Sequence, residues 1–187
     1  MITTSPLVKT YTLQEFWGLP EPADRSTLEL IKGVLYMSPP PDEAHDEIFG
    51  NLNRQLQRAL DRHAYSGTVY APRAALWIDD DTYLEPDLMY VSDELKEGMR
   101  PGRRTRADIV VEILSPKTAL YDRTTKSDTY RAMGVREMWL IDADSNEVEV
   151  RSFEVGQTAP YKIADTIRSE VLPEIEIPAS ALFPRRS

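Results

Sequence analysis

The 187-residue chain contains no cysteine, which excludes disulfides, thiolate metal sites and cysteine nucleophiles. Its two histidines, His45 and His63, are too few for a histidine-rich zinc motif. The first residues, Met1 to Pro6, lack the basic segment and apolar run of a secretory signal, and no apolar stretch is long enough to span a bilayer. The expectation is a cytoplasmic protein with no membrane partner. Neither a P-loop nor a dinucleotide glycine fingerprint occurs, and no Gly-x-Ser-x-Gly elbow surrounds Ser38 or Ser115. Positive charge is also scarce. The 22 Lys and Arg stand against 31 Asp and Glu, for a formal charge of −9, which argues against a broad electrostatic grip on nucleic acid. The segment Arg100 to Arg131 is the exception, with eight basic residues against four acidic ones.

The hydrophobic residues, 41% of the chain, suffice for one sizeable core, and the reading is a single domain over residues 1–187. Thr12-Leu13-Gln14-Glu15 has capping-box spacing and opens a short helix that stops near Gly18. Leu28 to Ile31 and Val34 to Met37 flank Lys32-Gly33 as a hairpin. Ile48, Leu52, Leu56 and Ala59 or Leu60 recur at helical spacing, predicting a helix from about Asp42 to His63. Strands are predicted near Thr68 to Ile78 and Tyr83 to Val91. A buried strand Asp108 to Leu114, a helix Tyr121 to Met133 and a buried strand Glu137 to Ile141 follow, an order that implies a parallel crossover. Glu147 to Arg151 alternates like a half-exposed strand.

Within this frame the informative residue is Glu112, a carboxylate inside the apolar run Ile109-Val110-Val111-Glu112-Ile113-Leu114. An ionised carboxylate in a strand core costs several kcal/mol unless it is paired or bound to a cation. Alternation puts Ile109, Val111 and Ile113 on one face and Val110, Glu112 and Leu114 on the other. Asp87 is a second strand acid, placed after Pro86, which cannot donate to a ladder and favours an edge, a strand start or a bulge. Asp122, Lys126, Tyr130 and Met133 lie at i, i+4, i+8 and i+11, so the lysine shares a stripe with residues that face the sheet. Two acids on neighbouring strands suit a hard divalent cation such as Mg²⁺ or Mn²⁺. An inward ammonium beside them completes a set able to hydrolyse phosphodiesters. Each piece also has a plainer account: solvated acids on an edge strand around Asp87, a buried salt bridge from Glu112 to Arg73 or Arg131, and a surface Asp122–Lys126 pair.

The ordered set Pro86-Asp87, Glu112 in Val111-Glu112-Ile113-Leu114-Ser115-Pro116, then Asp122, Lys126 and Tyr130, then Gly134 to Asp142, resembles the Uma-two family of the PD-(D/E)XK nuclease superfamily. The likeness reaches back to Leu28-Glu29-Leu30-Ile31-Lys32-Gly33. It implies an α/β (α+β) restriction-endonuclease-like core, a mixed central sheet flanked by helices with an N-terminal β-hairpin. It further implies a DNA substrate, Asp87 and Glu112 as ligands of Mg²⁺ or Mn²⁺, and the backbone carbonyl of Ile113 as a further ligand. Leu114 stands two residues after Glu112, where the superfamily usually has its lysine. The resemblance makes Lys126 a relocated lysine reaching the same point, ahead of Lys117. Glu29 and His45 also fall on family positions. Glu29 is then a further acid of the site or a solvated hairpin acid, and His45 faces the site or simply packs. By analogy two copies pair into a homodimer, with Glu147 to Phe153 as an edge strand or Ile175 to Pro178 as contact surface. Two rival readings remain open: a binding module that keeps the nuclease fold without turnover, and a metal-dependent hydrolase of a small phosphorylated substrate.

Overall fold

The computed structural model describes residues 8–24 and 26–184; Met1 to Pro6 lie outside them. Helix α1 (Leu13–Trp17) begins with the predicted capping box, in which Thr12 Oγ1 accepts from the Glu15 N–H at 3.2 Å and Glu15 Oε2 accepts from the Thr12 N–H at 2.9 Å. Strands β1 (Thr27–Ile31) and β2 (Val34–Ser38) form the hairpin, turning through Lys32 and Gly33 at φ of 50° and 77°. Helix α2 (Glu43–Arg62) follows, N-capped by Asp42.

Four short strands come next: β3 (Gly67–Tyr70), β4 (Leu76–Ile78), β5 (Thr82–Leu84) and β6 (Leu88–Ser92). A short helix α3 (Asp93–Glu97) leads to β7 (Ile109–Leu114). The crossover is a broken helix: α4 (Ala119–Tyr121), a π-helical turn (Asp122–Lys126) and α5 (Ser127–Ala132). Strands β8 (Glu137–Asp142), β9 (Glu147–Ser152), β10 (Gln157–Lys162), β11 (Thr166–Arg168) and β12 (Glu176–Pro178) complete the order.

The central sheet runs β10-β9-β8-β7-β6-β3. Its β7–β8 pair is parallel and its other pairs are antiparallel, so the sheet is mixed. The second sheet, β2-β1-β5-β4, is antiparallel. The alternation of β7 is realised as expected. Ile109, Val111 and Ile113 pack in one core with Ile48, Leu52 and Leu56 of α2, where each fully buried side chain contributes roughly 1.5–3 kcal/mol. Val110 and Leu114 face the other core with Tyr130, Met133 and Leu140. Glu112 therefore points toward the broken helix. No helix among the described residues is long and apolar enough to cross a membrane.

Four expectations need correction. The strand foreseen over Thr68 to Ile78 is two strands in different sheets, because the chain turns through Pro72 and Arg73, the latter at φ 73°, between β3 and β4. The strand foreseen over Tyr83 to Val91 divides likewise. Glu85-Pro86-Asp87 carries the chain from β5 to β6, since Pro86 cannot extend a hydrogen-bonded ladder. The foreseen regular helix from Tyr121 widens into the π turn. Lastly, β9 lies between β8 and β10 and is no edge, while Ile175 and Ile177 are buried in the core, so neither foreseen dimer contact is free.

Gly67 tests the packing at the sheet margin. A Cβ there would lie 2.6 Å from Tyr90 Cε2 and 2.7 Å from the Val91 carbonyl oxygen, and backbone must move to admit it. Gly67→Ala is expected to lower stability by about 1–3 kcal/mol in urea titration; an unchanged midpoint would contradict this packing.

Candidate active site

The site forms where the two sheets and the broken helix meet. Strand β6 starts one residue after Asp87, and its register on β7, with Leu88 opposite Val111, brings Asp87 next to Glu112. Asp87 Oδ2 accepts the Ile113 N–H at 2.7 Å, and its Oδ1 lies 3.1 Å from His45 Nε2 in the first turn of α2. Glu112 is 3% exposed. Its Oε1 accepts from the Tyr130 hydroxyl at 2.6 Å and its Oε2 lies 3.1 Å from Lys126 Nζ.

Lys126 is the hub. Its ammonium is also 3.1 Å from Glu29 Oε2 and 3.5 Å from Asp122 Oδ1, with the Tyr121 ring centroid at 5.5 Å. Glu29, 1% exposed, accepts from the Glu85 backbone N–H at 3.0 Å and from the Tyr121 hydroxyl at 3.3 Å. Tyr121 in turn stacks on Tyr36 of the hairpin, with centroids 4.6 Å apart.

Thus Glu29, His45, Asp87, Glu112, Asp122, Lys126 and Tyr130 are brought together, including Glu29 and His45, for which the sequence leaves a plainer alternative open. The solvated account of Glu29 is overturned, because the face of β1 opposite Leu28 and Leu30 is covered by Tyr121 and Lys126. Glu112 pairs with Lys126 rather than with Arg73 or Arg131; Arg131 lies over the Phe153 ring instead. Lys117 is exposed, and His63 sits by Glu174 at the far end of α2. Sequence reasoning missed Tyr121, Tyr36 and the Glu85 amide. The signal for Tyr121 was its place one residue before Asp122.

The electrostatics follow from one buried cation among several buried acids. Burial pushes Glu112 well above the ordinary glutamate range, and the charges of Asp87, Asp122 and Glu29 add to the push against the opposing pull of Lys126. Burial also raises Glu29 and Asp122, again opposed by Lys126. For Lys126 burial works the other way, but Glu112, Glu29, Asp122 and Asp87 outweigh it and hold the ammonium protonated well above the usual lysine range. Burial lowers His45 too, and the hydrogen bond and charge of Asp87, with Asp46 and Asp42, reverse this to a net rise.

These groups line a cavity of about 490 Å³, whose walls include eight carboxylates against two full cations, Arg73 and Lys126. Its donors are carboxylate oxygens, the type that Mg²⁺ and Mn²⁺ prefer, and the surplus of negative charge is what a dication would offset. The residues fit such an ion in kind. Among the described residues, however, no three acidic or histidine groups form a ready ligand cluster. The Glu112 oxygens are shared with Lys126 and Tyr130, and those of Asp87 with His45 and the Ile113 amide.

Comparison with known proteins agrees with this architecture. Residues 13–180 match the family model Uma2, described as "putative restriction endonuclease", and the chain belongs to that family. It is similar to an uncharacterized protein, sll1609, of a Synechocystis strain, at 26% identity over 144 residues, covering 75% of this chain and 80% of that protein. Its fold is similar to the crystal structure of a protein from Anabaena variabilis titled a putative nuclease belonging to DUF820. The TM-score there is 0.75 at 21% identity, over 92% of this chain and 97% of that one. The fold is thus a mixed sheet flanked by helices, as in that structure.

Two outcomes test the charge arrangement. Lys126→Met leaves three buried carboxylates without their cation and should cost about 3–5 kcal/mol at pH 8, less near pH 5 where a carboxyl can take up a proton; a loss below about 1 kcal/mol at pH 8 would show that the ammonium is not their counter-charge. Glu112, raised in the folded state, binds its proton more tightly there than in the unfolded chain. Its contribution therefore favours the fold near and below the ordinary value of 4.5 and is lost as pH rises through the folded value, at up to about 1.4 kcal/mol per pH unit. Lys126 behaves differently: its stabilisation is present below the ordinary value of 10.5 and is lost only in still more alkaline solution, as pH rises through the raised folded value. In chelator-treated protein, Glu112→Gln should flatten the fall in urea midpoint between pH 5 and pH 8. An unaltered slope would refute the assignment.

Proposed function

We propose that this protein is a divalent-metal-dependent nuclease that hydrolyses DNA phosphodiesters in the 490 Å³ cavity. The observation that carries the reading is the convergence of Asp87, one residue before β6, and Glu112 of the neighbouring β7, with Lys126 3.1 Å from the Glu112 carboxylate. Family membership supports it, since the description of Uma2 is "putative restriction endonuclease".

In this reading Asp87 and Glu112 hold Mg²⁺ or Mn²⁺, with the Ile113 carbonyl as a further ligand. Bound there, such an ion would polarise a phosphoryl oxygen and lower the pKa of a water. The chain's own residues do the rest. The Ile113 amide and His45 orient Asp87, and Tyr130 orients Glu112, by the hydrogen bonds already formed. Lys126, kept cationic by Glu29 and Asp122, aligns the attacking water or neutralises charge on the transition-state oxygens. A DNA backbone approaching so acidic a wall needs added positive charge, which accounts for the metal requirement in electrostatic terms. A homodimer whose two sites address two strands belongs to the proposal by analogy; sedimentation velocity tests it, and a monomer at cleaving concentrations rejects it.

Incubation with plasmid and oligonucleotides in Mg²⁺ or Mn²⁺ is the test. Cleavage is expected to fall by about 10²–10³-fold in each of Asp87→Ala, Glu112→Ala and Lys126→Ala. Cleavage that survives all three, or that survives removal of metal by chelator, overturns the proposal. One observation favours a second reading: the cavity volume is that of a small-molecule site. A hydrolase of small phosphorylated compounds would cleave bis(p-nitrophenyl) phosphate and leave oligonucleotides intact. Failure to take up Mn²⁺ in calorimetry would instead leave the acids a structural role and favour a binding module.

A further inference from the structure

Lys126 ends a π-helical turn, and such turns occur mostly as single insertions that demand outside support. The support is visible. Arg151 Nη1, from β9, donates to the carbonyl of Arg123 inside the turn at 2.6 Å and to Ser127 Oγ just after it at 2.8 Å. A side chain bonded to a carbonyl inside a helix is a recognised means of holding it away from regular geometry. Arg151 is itself fixed, because its Nε donates to Glu149 Oε1. The second oxygen of that carboxylate accepts from Arg123 Nη1 at 3.0 Å, and Arg123 Nη2 reaches Asp142 Oδ2 at 3.3 Å.

The turn is therefore clamped from both sides of one residue: the Arg123 side chain by Glu149 and Asp142, its carbonyl by Arg151. The planar guanidinium suits this task, since its fork can serve Glu149 on one edge and the turn on the other. Asp122 and Lys126, the two ends of the turn, both point into the carboxylate cluster. We propose that Arg151 is a positioning residue: it holds the π turn in register and thereby sets where the Lys126 ammonium stands. None of Arg123, Glu149 and Arg151 lines the cavity. The inference rests on the catalytic reading of Lys126 for its functional meaning, whereas its structural content stands without it.

The experiment uses the full chain and needs no activity. Lys126 is 4% exposed and should resist acylation by an N-hydroxysuccinimide ester, read by peptide mass spectrometry well below the melting temperature. Arg151→Met should speed acylation of Lys126 and amide exchange over Asp122–Ser127 by about tenfold or more. Arg151→Lys, which restores a cationic donor without the fork, should recover part of the protection. Arg136→Met is the control: it breaks a different arginine network, to Asp108 and Glu154, and should leave Lys126 unchanged. If Arg151→Met fails to fold, Glu149→Gln releases Arg151 from its anchor and should give an intermediate rise. Protection within about twofold of wild type in the folded variant overturns the proposal, as does equal deprotection by Arg136→Met. Should Lys126→Ala retain nuclease activity, the catalytic reading falls while these labelling results still decide the role of Arg151.

Discussion

A single ammonium among three buried carboxylates is the interaction on which this site depends. Glu29 comes from the small sheet, Glu112 from the central sheet, and Asp122 with Lys126 from the broken helix. Each acid alone would be costly to bury. Their common partner makes the burial tolerable and at the same time draws three layers to one point. The aromatic lining serves the same end: Tyr130 and Tyr121 donate to Glu112 and Glu29, and Tyr36 covers Tyr121.

Burial is what raises Glu29, Glu112 and Asp122 above their ordinary values, and the attraction of Lys126 opposes that rise without cancelling it. Burying three acids at one point thus costs stability, as is common where a fold keeps polar groups for use. The clamp of Arg123, Glu149 and Arg151 lies behind the turn and is half-buried, so it fixes geometry without adding to the charge of the cavity.

Much of this was legible in the residues. The capping box at Thr12, the hairpin at Lys32-Gly33 and the apolar stripe of α2 each state a local preference that the tertiary structure obeys. Glu112 announced its need for a partner because a carboxylate in a β-branched run has no other explanation. What stayed hidden is tertiary. Whether Thr68 to Ile78 is one strand or two depends on which sheet claims each half, and a left-handed Arg73 carries no sequence mark. Spacing of i, i+4 describes Asp122 and Lys126 equally well in an α-helix and in a π turn. Alternation put Glu29 away from Leu28 and Leu30, but could not reveal that its own face is covered as well.

The hydrogen bond from Tyr121 to Glu29 joins residues 92 positions apart, and the Glu85 amide reaches Glu29 across 56. Contacts of such long range carry the loop-closure cost of the chain between their partners. During synthesis the hairpin must wait for the crossover helix to leave the ribosome before Glu29 meets its cation. Until then the nascent chain has no assembled centre, so any chemistry this cavity performs is withheld until Asp122 and Lys126 have been made.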